Sequence, residues 1–330
     1  MHVLAAIDKF RGTATAAEAA EAVCRGVARA GGTATARPLA DGGEGTLEVL
    51  GGGNRTTTVM GPLGDPVDAS WRLVGRTAVI EMARASGLAL VGGPDGNDPI
   101  AATTHGTGEL IATALDAGAR RIVVGVGGSA TTDGGLGAIR AIWTPGRLRG
   151  ADLIVACDVR TRFLDAAEVF APQKGASPAQ VQLLRRRLER LAQVYLDDYA
   201  VEVREVPGGG AAGGLAGGLT VHGAKLVSGF DVIADELHLD DVIADADLVV
   251  TGEGFLDAQS FEGKVVGGVV ALAAEAGVPV LAVAGEVFDE ADAKMPTVSL
   301  VERFGRDRAL TDPAWCIEEA VAEWLKSWSG

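Results

Sequence analysis

Residues 247–285 read DLVVTGEGFLDAQSFEGKVVGGVVALAAEAGVPVLAVAG, and this stretch decides the class of fold. Leu248–Thr251 and Val280–Ala284 are short, continuously apolar runs. Such runs suit strands buried on both faces, as in a parallel sheet. Between them, Val265–Ala276 has the length and composition of a helix. The same rhythm extends outward. Val3–Ile7, Thr33–Leu39, Ile122–Val126, Leu153–Cys157 and Val298–Val301 read as further strands. Ala16–Ala30, Thr107–Ala117, Pro178–Tyr195 and Pro313–Trp328 read as helices, two of them announced by a capping side chain before proline (Ser177-Pro178, Asp312-Pro313). Alternation of this kind predicts an α/β protein.

Residues 55–100 break the rhythm. Thr56–Val59, Asp68–Leu73 and Thr77–Glu81 have the alternation of an antiparallel, half-exposed sheet joined by Gly-Pro turns. No long linker or internal repeat accompanies the change, so one domain inserted into another is expected rather than two in tandem. The expected division is 1–55 with 232–330, and 56–231.

Composition narrows the function. The chain has 330 residues, 48% of them hydrophobic, 47 glycines and a net charge of −15. That acidity argues against nucleic acid or an anionic membrane as a partner, while leaving room for a nucleotide held by local amides and a few cations. Three widely spaced cysteines, Cys24, Cys157 and Cys316, fit a reducing compartment and no metal-ligand spacing. No apolar run reaches the ~20 residues of a membrane span. The chain opens on strand-like MHVLAAID rather than a leader pattern, so the cytoplasm is the expected location.

Ligands of open α/β sheets bind at the carboxyl ends of strands, and polar residues collect there. The first strand runs into Asp8-Lys9-Phe10-Arg11-Gly12, the second into Asp41-Gly42-Gly43-Glu44-Gly45. Asp41 is equally readable as a magnesium or hydroxyl ligand and as a helix cap. Ile122–Val126 leads to Gly127-Gly128-Ser129-Ala130-Thr131-Thr132-Asp133, a candidate anion cradle. Asp158 follows another strand. Lys174 lies in Pro172-Gln173-Lys174-Gly175, where it could reach a phosphate or be an ordinary loop lysine. Glu253, Asp257 and Lys264 follow Leu248–Val250, as functional groups or as a structural Glu253–Lys264 pair. Arg185–Arg190 reads as a solvated helix face. There is no P-loop, G-x-S-x-G elbow or H-E-x-x-H motif.

Taken in order, DKFRG (8–12), ADGGEGT (40–46), HGTGELI (105–111), VGGSATTDGG (126–135), ACDV (156–159), FAPQKGA (170–176), GGGAAGGLAGGL (208–219) and TGEGFLDAQSFEGK (251–264) resemble the bacterial glycerate kinase family, the type unrelated to P-loop kinases. The resemblance runs almost end to end. It implies a Rossmann/flavodoxin-like parallel-sheet domain built from both termini, an inserted mixed α/β domain and an active site in the cleft between them. It implies ATP-dependent phosphorylation of D-glycerate, at the 2-hydroxyl, with Mg²⁺. Carried onto this chain, Asp8, Asp41, Asp257 and Lys174 are the catalytic candidates. Lys9, Arg11, Gly42, Gly43, Glu44, Gly127, Gly128, Ser129, Asp133, Asp158, Glu253 and Lys264 are the substrate- or nucleotide-binding candidates, and Asp41 and Glu253 the Mg²⁺ ligands. Small molecules are the expected partners, with no nucleic acid and no membrane; a homodimer is left open.

The chain departs from the family pattern at Arg11, where Lys is usual, at Phe255, where Arg is usual, at Ala258 and at Arg160–Arg162. The segment Ile142–Ala151 is shorter than in family members. Two alternatives therefore stand beside glycerate phosphorylation: a kinase of the same fold for another small hydroxy acid or polyol, and a catalytically weak nucleotide or metabolite binder.

Overall fold

The computed structural model describes residues 1–10, 12–142, 148, 150–261, 263–288 and 295–328. Arg11 and residues 143–147 and 149 of the shortened segment lie outside the described residues. The described strands, in chain order, are β1 (His2–Ile7), β2 (Thr33–Pro38), β3 (Arg55–Met60), β4 (Pro66–Val74), β5 (Thr77–Glu81), β6 (Arg121–Gly125), β7 (Asp152–Ala156), β8 (Lys225–Val227), β9 (Leu248–Leu256), β10 (Val280–Val287) and β11 (Thr297–Ser299). The chain divides into two compact units, Met1–Asp41 with Phe230–Gly330, and Gly42–Gly229.

The first unit is a five-stranded sheet in the order β11-β10-β9-β1-β2, parallel throughout. Counted along this unit alone the order is 2-1-3-4-5, the flavodoxin-like winding, which reverses direction between β1 and β9. One face carries the helices Ala16–Arg29 and Pro313–Ser327, with Val3, Ala5, Ile7, Val23, Val27, Ile317 and Val321 in a single apolar cluster. On the other face Val266, from helix Val265–Ala276, packs with Leu256, Ala282 and Ala284. Helix Ala16–Arg29 starts on a capping box: Thr15 Oγ1 accepts the Glu18 N–H at 3.2 Å, and the Glu18 carboxylate accepts the Thr15 N–H at 2.8 Å. A cap of this kind is worth about 1 kcal/mol.

Three strands of this unit differ from expectation by more than one residue. The expected strand Leu248–Thr251 continues to Leu256, and its neighbour to Val287, because their pairing persists through Glu253↔Ala284, Phe255↔Glu286 and Leu256↔Val287. Gly252 permits this: a Cβ there would lie 1.9 Å from the Val283 carbonyl oxygen. The last expected strand, Val298–Val301, stops at Ser299, which turns the chain into helix Leu300–Phe304 by accepting the Glu302 N–H at 3.4 Å.

The second unit holds the six-stranded sheet β3-β4-β5-β6-β7-β8, antiparallel from β3 to β5 and parallel from β5 to β8. Trp71, Ile80, Leu110, Ile122, Val124, Val155 and Leu215 are central to its core. Helix Pro178–Tyr199 packs through Leu184, Leu188, Ala192 and Tyr195 against Phe163 in a second cluster. There the buried Tyr195 hydroxyl donates to the Gly134 carbonyl at 2.9 Å.

Candidate active site

At the reversal point of the first sheet, three carboxylates gather. Asp8 follows β1, Asp41 follows β2 by three residues, and Glu253 lies within β9. The Asp8 N–H donates to the Gly252 carbonyl at 2.9 Å, which seats Asp8 beside β9. Only 7% of Asp8 is exposed. Burial, then the charge of Asp41, pushes its pKa up to about 7, while Lys9 and the Lys9 N–H, 2.7 Å from Oδ1, pull it down. Glu253 is also shifted upward. Burial is the main cause, and Asp257 and Asp41 add to it; Ser260 and Lys264 oppose it. Its Oε1 is buried without a hydrogen-bond partner. Lys9 Nζ stands 3.8 Å from Asp41 Oδ1. Asp257 is locked in a reciprocal turn: its Oδ1 accepts the Ser260 N–H at 2.9 Å and its own N–H donates to Ser260 Oγ at 3.0 Å. Lys264 directly precedes helix Val265–Ala276.

In the second unit, β6 runs into Gly127, Gly128 and Ser129. Behind this loop Lys174 is 2% exposed. Its Nζ donates to Ser129 Oγ at 2.7 Å and to the Thr131 carbonyl at 2.6 Å. Burial lowers its pKa to about 7, against the pull of Asp133. Among the described residues no carboxylate forms an ion pair with it. A buried ammonium is costly, and the charge of Asp133 offsets only part of that cost. Asp133 itself is engaged: its oxygens accept the N–H groups of Thr104 (2.9 Å), Gly135 (3.1 Å) and Gly137 (3.1 Å) and the Thr104 hydroxyl. It thereby fixes the start of helix Leu136–Ile142.

The ADGGEG loop enters the second unit at Gly42, whose φ of +81° belongs to the left-handed region. It packs backbone to backbone on the β6 loop: a Cβ on Gly127 would lie 2.8 Å from Gly43 Cα. Glu44 is exposed. Asp158 Oδ1 accepts the Gly229 N–H at 2.8 Å.

Two positioning residues escaped the sequence reading. Glu81, buried at the end of β5, accepts the N–H groups of Gly45 (3.1 Å) and Leu47 (2.9 Å) and bonds Arg84 Nε at 3.0 Å, so it holds the ADGGEG loop in shape. The signal was an acid closing the apolar run TAVIE. Asn97 Nδ2 donates to the carbonyls of Ala130 (3.0 Å) and Lys174 (2.9 Å), tying the cradle to the lysine loop; no local pattern marked it.

Among the described residues no three His, Cys, Asp or Glu side chains form a metal cage, and no helix is long and apolar enough to cross a membrane.

Against known proteins, the glycerate kinase family model matches residues 3–145 and 143–326. The chain belongs to the glycerate kinase family. Relatives share this length of match. Glycerate 2-kinase of Escherichia coli (strain K12) is 38% identical over 330 residues, covering 88% of this chain and 86% of that protein. A glycerate kinase of Halalkalibacterium halodurans is 36% identical over 377 aligned residues, covering 98% of this chain and 99% of that one. An alignment longer than the 330-residue chain means that this relative carries segments absent here. The crystal structure of a putative glycerate kinase 2 from Salmonella typhimurium LT2 superposes with a TM-score of 0.84 at 34% identity, covering 99% of this chain and 98% of that one. The α/β fold is thus shared with that structure, and the family match divides at 143–145, where helix Leu136–Ile142 has just ended.

Proposed function

We propose that the chain transfers the γ-phosphoryl group of ATP to D-glycerate, at the 2-hydroxyl, in the cytoplasm. Asp8 carries this reading: a buried carboxylate, raised to about 7, at the reversal point of a flavodoxin-like sheet and flanked by Asp41 and Glu253. A base with a pKa near the working pH is suited to take the proton from an attacking hydroxyl. As the oxygen–phosphorus bond forms, the substrate proton passes to Asp8, and ADP leaves with the electrons of the broken bond. Asp41, beside Lys9, orients the hydroxyl.

The donors fit Mg²⁺ held in the manner of phosphoryl-transfer sites, through one or two carboxylates and substrate oxygens rather than a protein cage. Asp41 and Glu253 would hold it, and the unpartnered Oε1 of Glu253 is the atom best suited. When bound, the ion neutralises charge on the phosphate oxygens. Lys174 and Ser129 hold an anionic oxygen of the acid or the nucleotide, with Gly127 and Gly128 supplying backbone. Asp257 and Lys264 set the position and charge of Glu253. The name of the Escherichia coli relative, a 2-kinase, supports the 2-hydroxyl.

ADP release by purified protein with Mg-ATP and D-glycerate tests the proposal, with L-glycerate and no acid as controls. Turnover on the order of 1–100 s⁻¹ is expected, and phosphorus NMR of the product should show the 2-phosphate. No release above the controls from folded protein would overturn it. One observation favours a second reading. Phe255 (45% exposed), on β9, and Phe288 (44% exposed), just after β10, form an aromatic pair, 6.1 Å between ring centroids, beyond Glu253. That surface suits a hydroxy acid with an apolar substituent, and a faster rate on such an acid than on glycerate would establish it.

A further inference from the structure

We infer that an open pocket of the second unit, about 530 Å³ in volume and lined by helices Leu136–Ile142 and Pro178–Tyr199, binds a small polyanion: a metabolite with two or more phosphate or carboxylate charges on a short carbon skeleton. This volume lies within the ordinary range of small-molecule sites, ~300–1,000 Å³.

Helix geometry creates the charge. Arg187, Arg190, Leu191 and Val194 stand at i, i+3, i+4 and i+7 on the longer helix, so they share one face, and all four line the pocket. The sequence reading of Arg185–Arg190 as a solvated face holds for Arg185, which pairs with Glu168 at 2.7 Å and Glu189 at 3.3 Å. It holds for Arg187 and Arg190 too, which are exposed, and their face also borders the pocket. Arg140 joins them from the shorter helix. Among the described residues none of these three arginines forms an ion pair. Arg187 is nonetheless held, its Nη1 donating to the Ile100 carbonyl at 2.9 Å. On a chain of net charge −15, three guanidinium groups and one carboxylate, Asp133, around one pocket leave a local excess of positive charge.

The remaining lining agrees. Asp133 is the acid of the pocket, and its oxygens are already taken up by the amides of Thr104, Gly135 and Gly137. His105, on the wall, lies 3.7 Å from Glu109. Leu136, Leu191 and Val194 supply an apolar side for a short skeleton. Guanidinium groups bind carboxylate and phosphate alike through paired N–H donors. The family match divides one residue beyond the helix that carries Arg140.

Calorimetric titration of the whole protein with pyrophosphate and, separately, citrate, at fixed ionic strength, tests the site. At least one should saturate, and Arg140→Ala with Arg190→Ala should weaken it tenfold or more. The exposed Arg186→Ala, on the same helix, serves as control for general charge. Saturation by pyrophosphate alone assigns a phosphorylated ligand, and by citrate alone a carboxylic one. No saturation by either overturns the inference. So does equal binding in the double variant, including the case where Lys9→Ala abolishes it, which would locate the anion in the first unit. Circular dichroism and thermal melting establish that the variants are folded; should Arg140→Ala melt early, Arg190→Ala alone carries the test. None of these readouts depends on turnover of glycerate, so failure here and failure of the proposed reaction are separable.

Discussion

The carboxylate cluster of the first unit and the lysine cradle of the second reach the same pKa from opposite sides. Asp8 is raised to about 7 and Lys174 lowered to about 7, and burial is the leading cause of both. What surrounds them differs. Asp8 sits among like charges, Asp41 and Glu253, which a proton or a cation relieves. Lys174 sits among neutral acceptors, Ser129 Oγ and the Thr131 carbonyl, with only the more distant charge of Asp133 favouring its protonated form. Burial alone therefore does not declare a role; the charges around the buried group also count. In the proposed reaction the first cluster would take a proton or Mg²⁺, and the second a phosphate or carboxylate.

The largest test of this contrast is Asp8→Asn. Turnover should fall on the order of 10²–10⁴-fold if Asp8 takes the substrate proton. Stability should move the other way. The native carboxyl holds its proton up to about 7 and the unfolded one only to about 3.8, so the native state binds more protons in that window and stability drops as pH rises through it. The variant escapes that drop. Its melting temperature should overtake the parent's between pH 4 and 7 and hold the lead above, by a free energy of up to a few kcal/mol. Equal pH dependence of melting would break the assignment.

Lys174→Met comes next. It removes a buried charge while keeping an apolar stem, so turnover should fall on the order of 10²–10³-fold, the effect of losing one well-placed electrostatic contact, with the fold retained. For Lys174 the unfolded state binds more protons between about 7 and 10.5, so this group makes stability rise with pH across that range, and the variant lacks the rise. At pH 8, anionic substrate should bind the parent with proton uptake. Calorimetry in buffers of different ionisation enthalpy would detect it, and the variant should show none. Uptake that survives in the variant would put the anion elsewhere.

The smallest expected effect sharpens the contrast by standing outside it. Thr15→Ala removes the cap of helix Ala16–Arg29 and should cost about 1 kcal/mol in denaturant unfolding, with kcat and KM unchanged. A change in kcat would mean that the scaffold of the first unit tunes the carboxylates more than their own burial does.

Much of this was legible in the chain. Helix Val265–Ala276 and strand β5 have the bounds their patterns predict, because apolar periodicity is a local property. The motif order pointed to the family before any fold was in hand. What was not legible depends on distant partners. Nothing in FAPQKGA distinguishes a loop lysine from Lys174 as it stands, 2% exposed, because its burial is produced by the β6 loop and by Asn97, far away in sequence. The run TGEGF reads as a loop by its glycines, yet it is strand because β10 runs beside it. β8 has three residues, too few for a pattern of its own, and exists by pairing with β7.

The sequence by itself determined the α/β class, the loops that carry the acids and cations, and the family, since each rests on residue types at short spacing. Only the tertiary structure decided which of those charged groups are buried, which charges surround each, and that Arg140 meets Arg187 and Arg190 around one pocket. Desolvation and Coulomb interaction depend on distance in space, and residues such as 140 and 187 become neighbours only when the chain has packed.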